Sequence, residues 1–99
     1  YGAPKRAHLL GRAFFGAKRY REAAITYDMI LQPSPAILAE CAASYAEDGD
    51  LDKATIRASS VLQDAPDFSV TDYTGSRPFT NSSDIEHLAE GMLLAGLPQ

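Results

Sequence analysis

One offset constrains this chain more than any other feature: positions 31 residues apart carry side chains of one type. Phe14 matches Tyr45, Tyr20 matches Leu51, Ala23 matches Ala54, Ile30 matches Val61 and Pro35 matches Pro66, while Gly11 aligns with Ala42. Within each copy the apolar positions recur at three- and four-residue spacing, the period of a helix face. Each copy is therefore a helix-turn-helix unit. Such a unit cannot bury its apolar face alone and must stack on its neighbours. The small residues Gly11, Ala23, Ala42 and Ala54 allow two backbones to approach, and the aromatics Phe14, Tyr20, Tyr27 and Tyr45 fill the space on either side.

The boundaries follow from local chemistry. Pro4 suits the first turn of a helix, where its missing N–H costs nothing, and Ala7, Leu10, Ala13 and Phe14 carry that helix to Gly16-Ala17. Tyr20, Ala23, Ala24, Tyr27 and Ile30-Leu31 predict a second helix, stopped by Pro33-Ser34-Pro35. Ser34 is placed to cap the third helix and Pro35 to open it. That helix carries Leu38, Cys41, Ala42 and Tyr45 on one face. After the turn at 48–50, Asp50 caps a fourth helix over 51–63 with Leu51, Ala54, Ala58, Val61 and Leu62 inward.

The remainder is not a third copy. Ser69 and Asp72 predict one short helical turn inside an otherwise irregular connector, 67–80. A final helix follows over 81–97. Asn81 is its cap, and Asp84 lies in its first turn, where the dipole favours an acid. Ile85, Leu88, Ala89, Met92 and Ala95 form its buried stripe, and Gly96 with Pro98 stops it. The expectation is an all-α chain of five substantial helices without a sheet: repeats over 4–35 and 36–66, then a capping helix packed on the fourth.

This pattern resembles the tetratricopeptide repeat family. Leu10-Gly11, Phe14, Tyr20, Ala23, Tyr27, Ile30 and Pro35 stand where that family places its signature types. Leu38, Ala42, Tyr45, Gly49, Leu51, Ala54, Ala58, Val61 and Pro66 do so in the second copy. Ala7 departs, standing where a large residue is common. So does the spacing, three residues short of the family's roughly 34, with the gap in the link before the third helix. The resemblance implies an α-solenoid of two antiparallel helix pairs and a C-terminal cap. The ending "GMLLAGLP" is similar to the tails of tetratricopeptide proteins of rhizobia and related alphaproteobacteria. Many of those carry an adenylate/guanylate cyclase domain ahead of the repeats, and others a winged-helix regulator. The chain begins at Tyr1 rather than Met and reads as a piece of a longer protein.

The sequence carries no catalytic constellation, and no enzyme activity or cofactor is expected. His8 and His87 lack paired ligand spacing, so no metal site is expected. "EDGDLD" at 47–52 lacks the ligand order of a calcium loop and reads as a capping turn. Ser59-Ser60 and Ser82-Ser83 have no adjacent base. Cys41 is the only cysteine and reads as a small buried residue. No apolar run is long enough to span a membrane, and with no signal-peptide pattern a cytoplasmic location is the expectation. Residues 1–33 carry six Lys/Arg against two acids, and the other 66 carry three against eleven. That asymmetry argues against nucleic-acid binding by the whole domain and permits one basic patch.

In the family, the first helix of each unit lines a concave groove. Carried over, the lining is Lys5, His8, Arg12 and Phe15 from the first unit. Ala36, Ala39, Glu40, Ala43 and Glu47 line it from the second. The resemblance thus implies a non-catalytic module that binds a protein or peptide partner, as the C-terminal region of a bacterial signalling protein such as a cyclase. The alternative is the effector domain of a winged-helix transcription regulator. The asparagines of a carboxylate clamp are absent, so recognition of a C-terminal carboxylate is not expected. An uncovered first unit further predicts a symmetric homodimer, with Tyr1, Leu9 and Ala13 as contacts.

Overall fold

A computed structural model describes residues 3–75 and 82–99, with side chains over 6–75 and 83–99. The described residues are helical, without a strand. Six helices follow one another: α1 Ala3–Gly16, α2 Tyr20–Asp28, α3 Pro35–Glu47, α4 Leu51–Asp64, α5 Val70–Gly75 and α6 Ser82–Leu94. Tyr1, Asn81 and the side chain of Lys5 lie outside the described residues.

The repeat is visible in the turns. At the end of α1, Lys18 takes a left-handed conformation (φ 63°). The Arg19 N–H bonds the Phe14 carbonyl at 2.9 Å and the Lys18 N–H bonds Phe15 at 3.0 Å. At the end of α3, Gly49 is left-handed (φ 88°). The Asp50 N–H bonds Tyr45 at 2.9 Å and the Gly49 N–H bonds Ala46 at 3.1 Å. Both are Schellman endings, which satisfy carbonyls the helix leaves bare, and their residues correspond at the offset of 31. Such short connections make α1·α2 and α3·α4 antiparallel neighbours.

Small residues set the crossings. A Cβ on Gly11 would come within 2.8 Å of the Tyr27 ring, so only glycine admits that ring against α1. Ala23 and Ala54 are fully buried, as are Ala24, Ala42 and Val61. The caps are those the sequence indicates: Ser34 Oγ accepts from Ile37 N at 3.3 Å, Asp50 Oδ1 from Lys53 N at 3.2 Å and Ser69 Oγ from Asp72 N at 3.0 Å.

Three expectations are corrected. The second helix stops at Asp28 rather than running through Ile30-Leu31. Its last turn tightens through Met29 N–H to Thr26 and Ile30 N–H to Tyr27, and Gln32 then turns left-handed (φ 54°) ahead of Pro33. Ile30 stays buried while Leu31 is left 85% exposed. Leu51 is 54% exposed, because α4 only begins there and meets α3 through Ala54, Ala58 and Val61 further along. The third correction is the largest: α6 packs on α3, not on α4.

The reason lies in α3. Residues 39–46 are all buried, and six of them are Ala, Cys or Ser. A helix with so little side chain accepts neighbours on several sides, and α2, α4 and α6 all pack on it. Gly91 of α6 rests directly on Ala43. Gly96 (φ 99°) ends α6 with Leu97 N–H on the Met92 carbonyl, and the tail then returns to α5. Its Pro98 and Gln99 carbonyls accept from Val70 N at 2.9 Å and Thr71 N at 3.0 Å.

Candidate functional site: a groove face closed over Glu40

The residues expected to line a groove do share a surface. Glu40, Ala43 and Glu47 fall at three- and four-residue steps on one face of α3, and α1 turns His8, Arg12 and Phe15 toward it. What covers that surface is the chain's own C-terminal segment.

Glu40 is the centre. Its side chain is fully buried, in a helix otherwise made of small residues. Taking a carboxylate out of water is expensive unless its oxygens are fully bonded, and here they are. Arg12 donates from Nε to Oε1 at 3.0 Å and from Nη2 to Oε2 at 2.9 Å, a bidentate pair. His8 Nε2 lies 3.1 and 3.2 Å from the two oxygens. Tyr27 donates to Oε1 at 2.8 Å and Tyr73 to Oε2 at 2.7 Å. Burial alone would raise the carboxyl pKa. The hydrogen bonds from His8 and Arg12, and the Arg12 charge, outweigh it and hold the carboxyl at about 2. Burial beside the carboxylate pushes the Tyr27 phenol up, and the Glu40 hydrogen bond raises the Arg12 guanidinium further. One carboxylate therefore ties together α1, α2, α3 and α5.

A second node holds α6. His87 lies against Phe15, with ring centroids 4.5 Å apart, and edge-on to Tyr20 at 5.7 Å. Its Nε2 is 2.9 Å from the Tyr20 hydroxyl. Glu47 Oε2 is 3.7 Å from the same nitrogen and is buried with no hydrogen bond. Burial, and then the neighbouring Glu90 charge, raise the Glu47 carboxyl above its ordinary value, with His87 opposing.

A third node lies elsewhere, joining α2, α3 and α4. Asp28 receives Arg57 at 2.9 and 3.1 Å, the Tyr45 hydroxyl, and the Cys41 thiol at 3.3 Å. Burial would raise the Asp28 carboxyl, but these donors bring it below its ordinary value. Burial and the Asp28 charge push the Cys41 thiol up, so it is a poor nucleophile.

The groove reading brings together His8, Arg12, Phe15, Glu40, Ala43 and Glu47. It leaves Lys5 outside the described side chains. It misses Tyr27 as a hydroxyl donor and Tyr73 altogether. The sequence signals neither: a glutamate among alanines suits an exposed helix face equally well, and it is the burial of Glu40 in the fold that makes its oxygens need several donors. Among the described residues, no group of three or more His, Cys, Asp or Glu could hold a metal, and no helix is long and apolar enough to cross a membrane. Compared with protein-family models, with curated proteins and with solved structures, the chain matches none.

Proposed function

We propose that this chain is a non-catalytic protein–protein interaction module of two tetratricopeptide-like helix pairs. In this reading it forms the C-terminal region of a bacterial signalling protein of the cyclase-bearing type and engages a protein or peptide partner. The observation that carries the reading is the seat of α6. An amphipathic helix lies on the α3 face of Glu40, Ala43 and Glu47, with His87 set against Phe15 of α1. Laying an amphipathic helix into a groove is a recurring way of recognising peptides. The repeated turn at Lys18 and Gly49 supports the stacked-pair architecture.

In this reading α6 is the resident ligand of the groove, and a partner helix competes with it. The experiment is a titration of a synthetic α6 peptide, residues 82–97, into the full chain carrying Gly91→Val, which weakens the resident helix. The peptide is expected to bind that variant and leave the wild-type chain unaltered. A folded variant with no affinity for the peptide would remove the groove from consideration as a helix receptor.

A further inference from the structure

The resident helix fits the groove in shape and not in charge. Ile85, Leu88 and Met92 of α6 are buried, and Gly91 lies on Ala43, where a Cβ would stand 2.8 Å from the Ala43 Cβ. The charge at the same seat is left unmatched. Glu47 is the last residue of α3, where the helix dipole places partial negative charge. No basic residue lies in that last turn. Oε2 of Glu47 is buried with no hydrogen bond. Against it α6 sets His87, whose Nε2 stands 3.7 Å away, and Glu90, a second carboxylate that repels it. Over its whole length α6 carries Asp84, Glu86 and Glu90 and no lysine or arginine. The cationic side chains of the groove wall do not help, because His8 and Arg12 are bound to Glu40.

We infer that the partner of this groove is a basic amphipathic helix: it lies as α6 lies, sets a glycine on Ala43, and carries an arginine four residues before that glycine, where α6 has His87. The glycine is required because Ala43 presents its Cβ and its carbonyl oxygen to the seat, and neither can swing aside. Residues four apart share a helix face, so the arginine points toward α3 as His87 does. An arginine reaches further than an imidazole and stays charged at every physiological pH. Its stem and guanidinium replace the His87 ring against Phe15, where the two ring centroids are 4.5 Å apart. Its planar fork carries five donors, enough to serve Oε2 of Glu47 and the Tyr20 oxygen together. Such a helix keeps the shape of α6 and supplies the charge that α6 lacks, which is how it competes for the seat. The inference rests on the interaction-module reading and names the partner's chemistry.

The test titrates two synthetic peptides of residues 82–97, one native and one carrying His87→Arg, into the full chain with Gly91→Val. The arginine peptide is expected to bind about tenfold more tightly than the native one, the gain of one charge-assisted hydrogen bond. That difference is expected to shrink with added salt. A third peptide that adds Gly91→Leu to His87→Arg is expected not to bind. Equal affinity of the native and arginine peptides overturns the inference and leaves the groove reading standing, whereas no binding by either removes both. The same change made within the full chain keeps the test available if Gly91→Val fails to fold. In urea unfolding, His87→Arg is expected to raise the folding equilibrium constant about tenfold. In a chain that also carries Glu47→Gln the gain is expected to fall below about twofold, because only an exposed helical pair with Glu90 remains. No gain from His87→Arg, or an equal gain in both backgrounds, overturns the inference.

Discussion

Gly91 of α6 packs on Ala43 of α3 with no room between them for a side chain. A Cβ added at Gly91 would stand 2.8 Å from the Ala43 Cβ and 2.9 Å from its carbonyl oxygen. Neither atom is the end of a flexible side chain, so α6 itself must move. Gly91→Ala gains about 1 kcal/mol of helix propensity and loses more in overpacking, typically 1–3 kcal/mol. The expected outcome in urea unfolding is a lower midpoint with an unchanged slope. Gly16→Ala is the control: nothing lies within 4 Å of the added methyl, and its φ is not left-handed. That variant should be neutral or slightly more stable.

The Glu40 cluster makes stability depend on acid. Its carboxyl drops from an ordinary 4.5 to about 2 in the folded chain. The unfolded chain therefore binds the proton first, and the stabilisation is complete above the ordinary value. It is lost as pH falls from about 4.5 toward 2, and amounts to about 3 kcal/mol. Glu40→Gln should flatten that acid limb. At neutral pH it should cost about 3–5 kcal/mol, since Arg12 is left half-buried against a neutral amide. Thermal melts from pH 2 to pH 7 would measure both effects.

Lys18 holds a backbone conformation that its counterpart Gly49 adopts at no steric cost. Left-handed geometry costs a side-chain-bearing residue about 1–2 kcal/mol. Lys18→Gly should therefore raise stability by about 1 kcal/mol, with part of the gain returned as unfolded-chain entropy. Denaturant titration checks it. A loss of stability would mean that the Lys18 side chain makes a compensating contact.

The helix pairs were legible because their signals are local. Ser34 with Pro35, Asp50 and Gly49 each act within a turn of where they sit, and the offset of 31 is a property of the sequence itself. The position of α6 was not legible in the same way. Ile85, Leu88 and Met92 declare a buried stripe but not what buries it. The choice of α3 over α4 is made by Gly91 meeting Ala43, a pair 48 residues apart whose fit exists only in three dimensions. Likewise the groove residues His8, Arg12 and Glu40 could be read as lying on shared helix faces. That Tyr73, from a stretch read as connector, would complete the carboxylate's shell could not.

Glu47 makes the sharpest contrast with Glu40, two turns earlier on the same face of the same helix. Glu40 has donors on both oxygens. Glu47 Oε2 is buried with no hydrogen bond, 3.7 Å from His87 Nε2 and repelled by Glu90. Its folded pKa is therefore raised rather than lowered. The folded chain binds this proton more tightly than the unfolded one, so ionising Glu47 costs stability as pH rises through the carboxylate range. Glu47→Gln removes the buried charge and supplies an amide that can donate. At neutral pH it should stabilise the chain by up to about 1 kcal/mol, opposite in sign to Glu40→Gln. The advantage should fade as pH falls below the ordinary carboxylate value, where wild-type Glu47 is protonated and donates equally well. Paired melts of the two glutamine variants at neutral and acid pH would read this directly. A destabilised Glu47→Gln at neutral pH would mean that the His87 contact is a formed ion pair holding α6 in place.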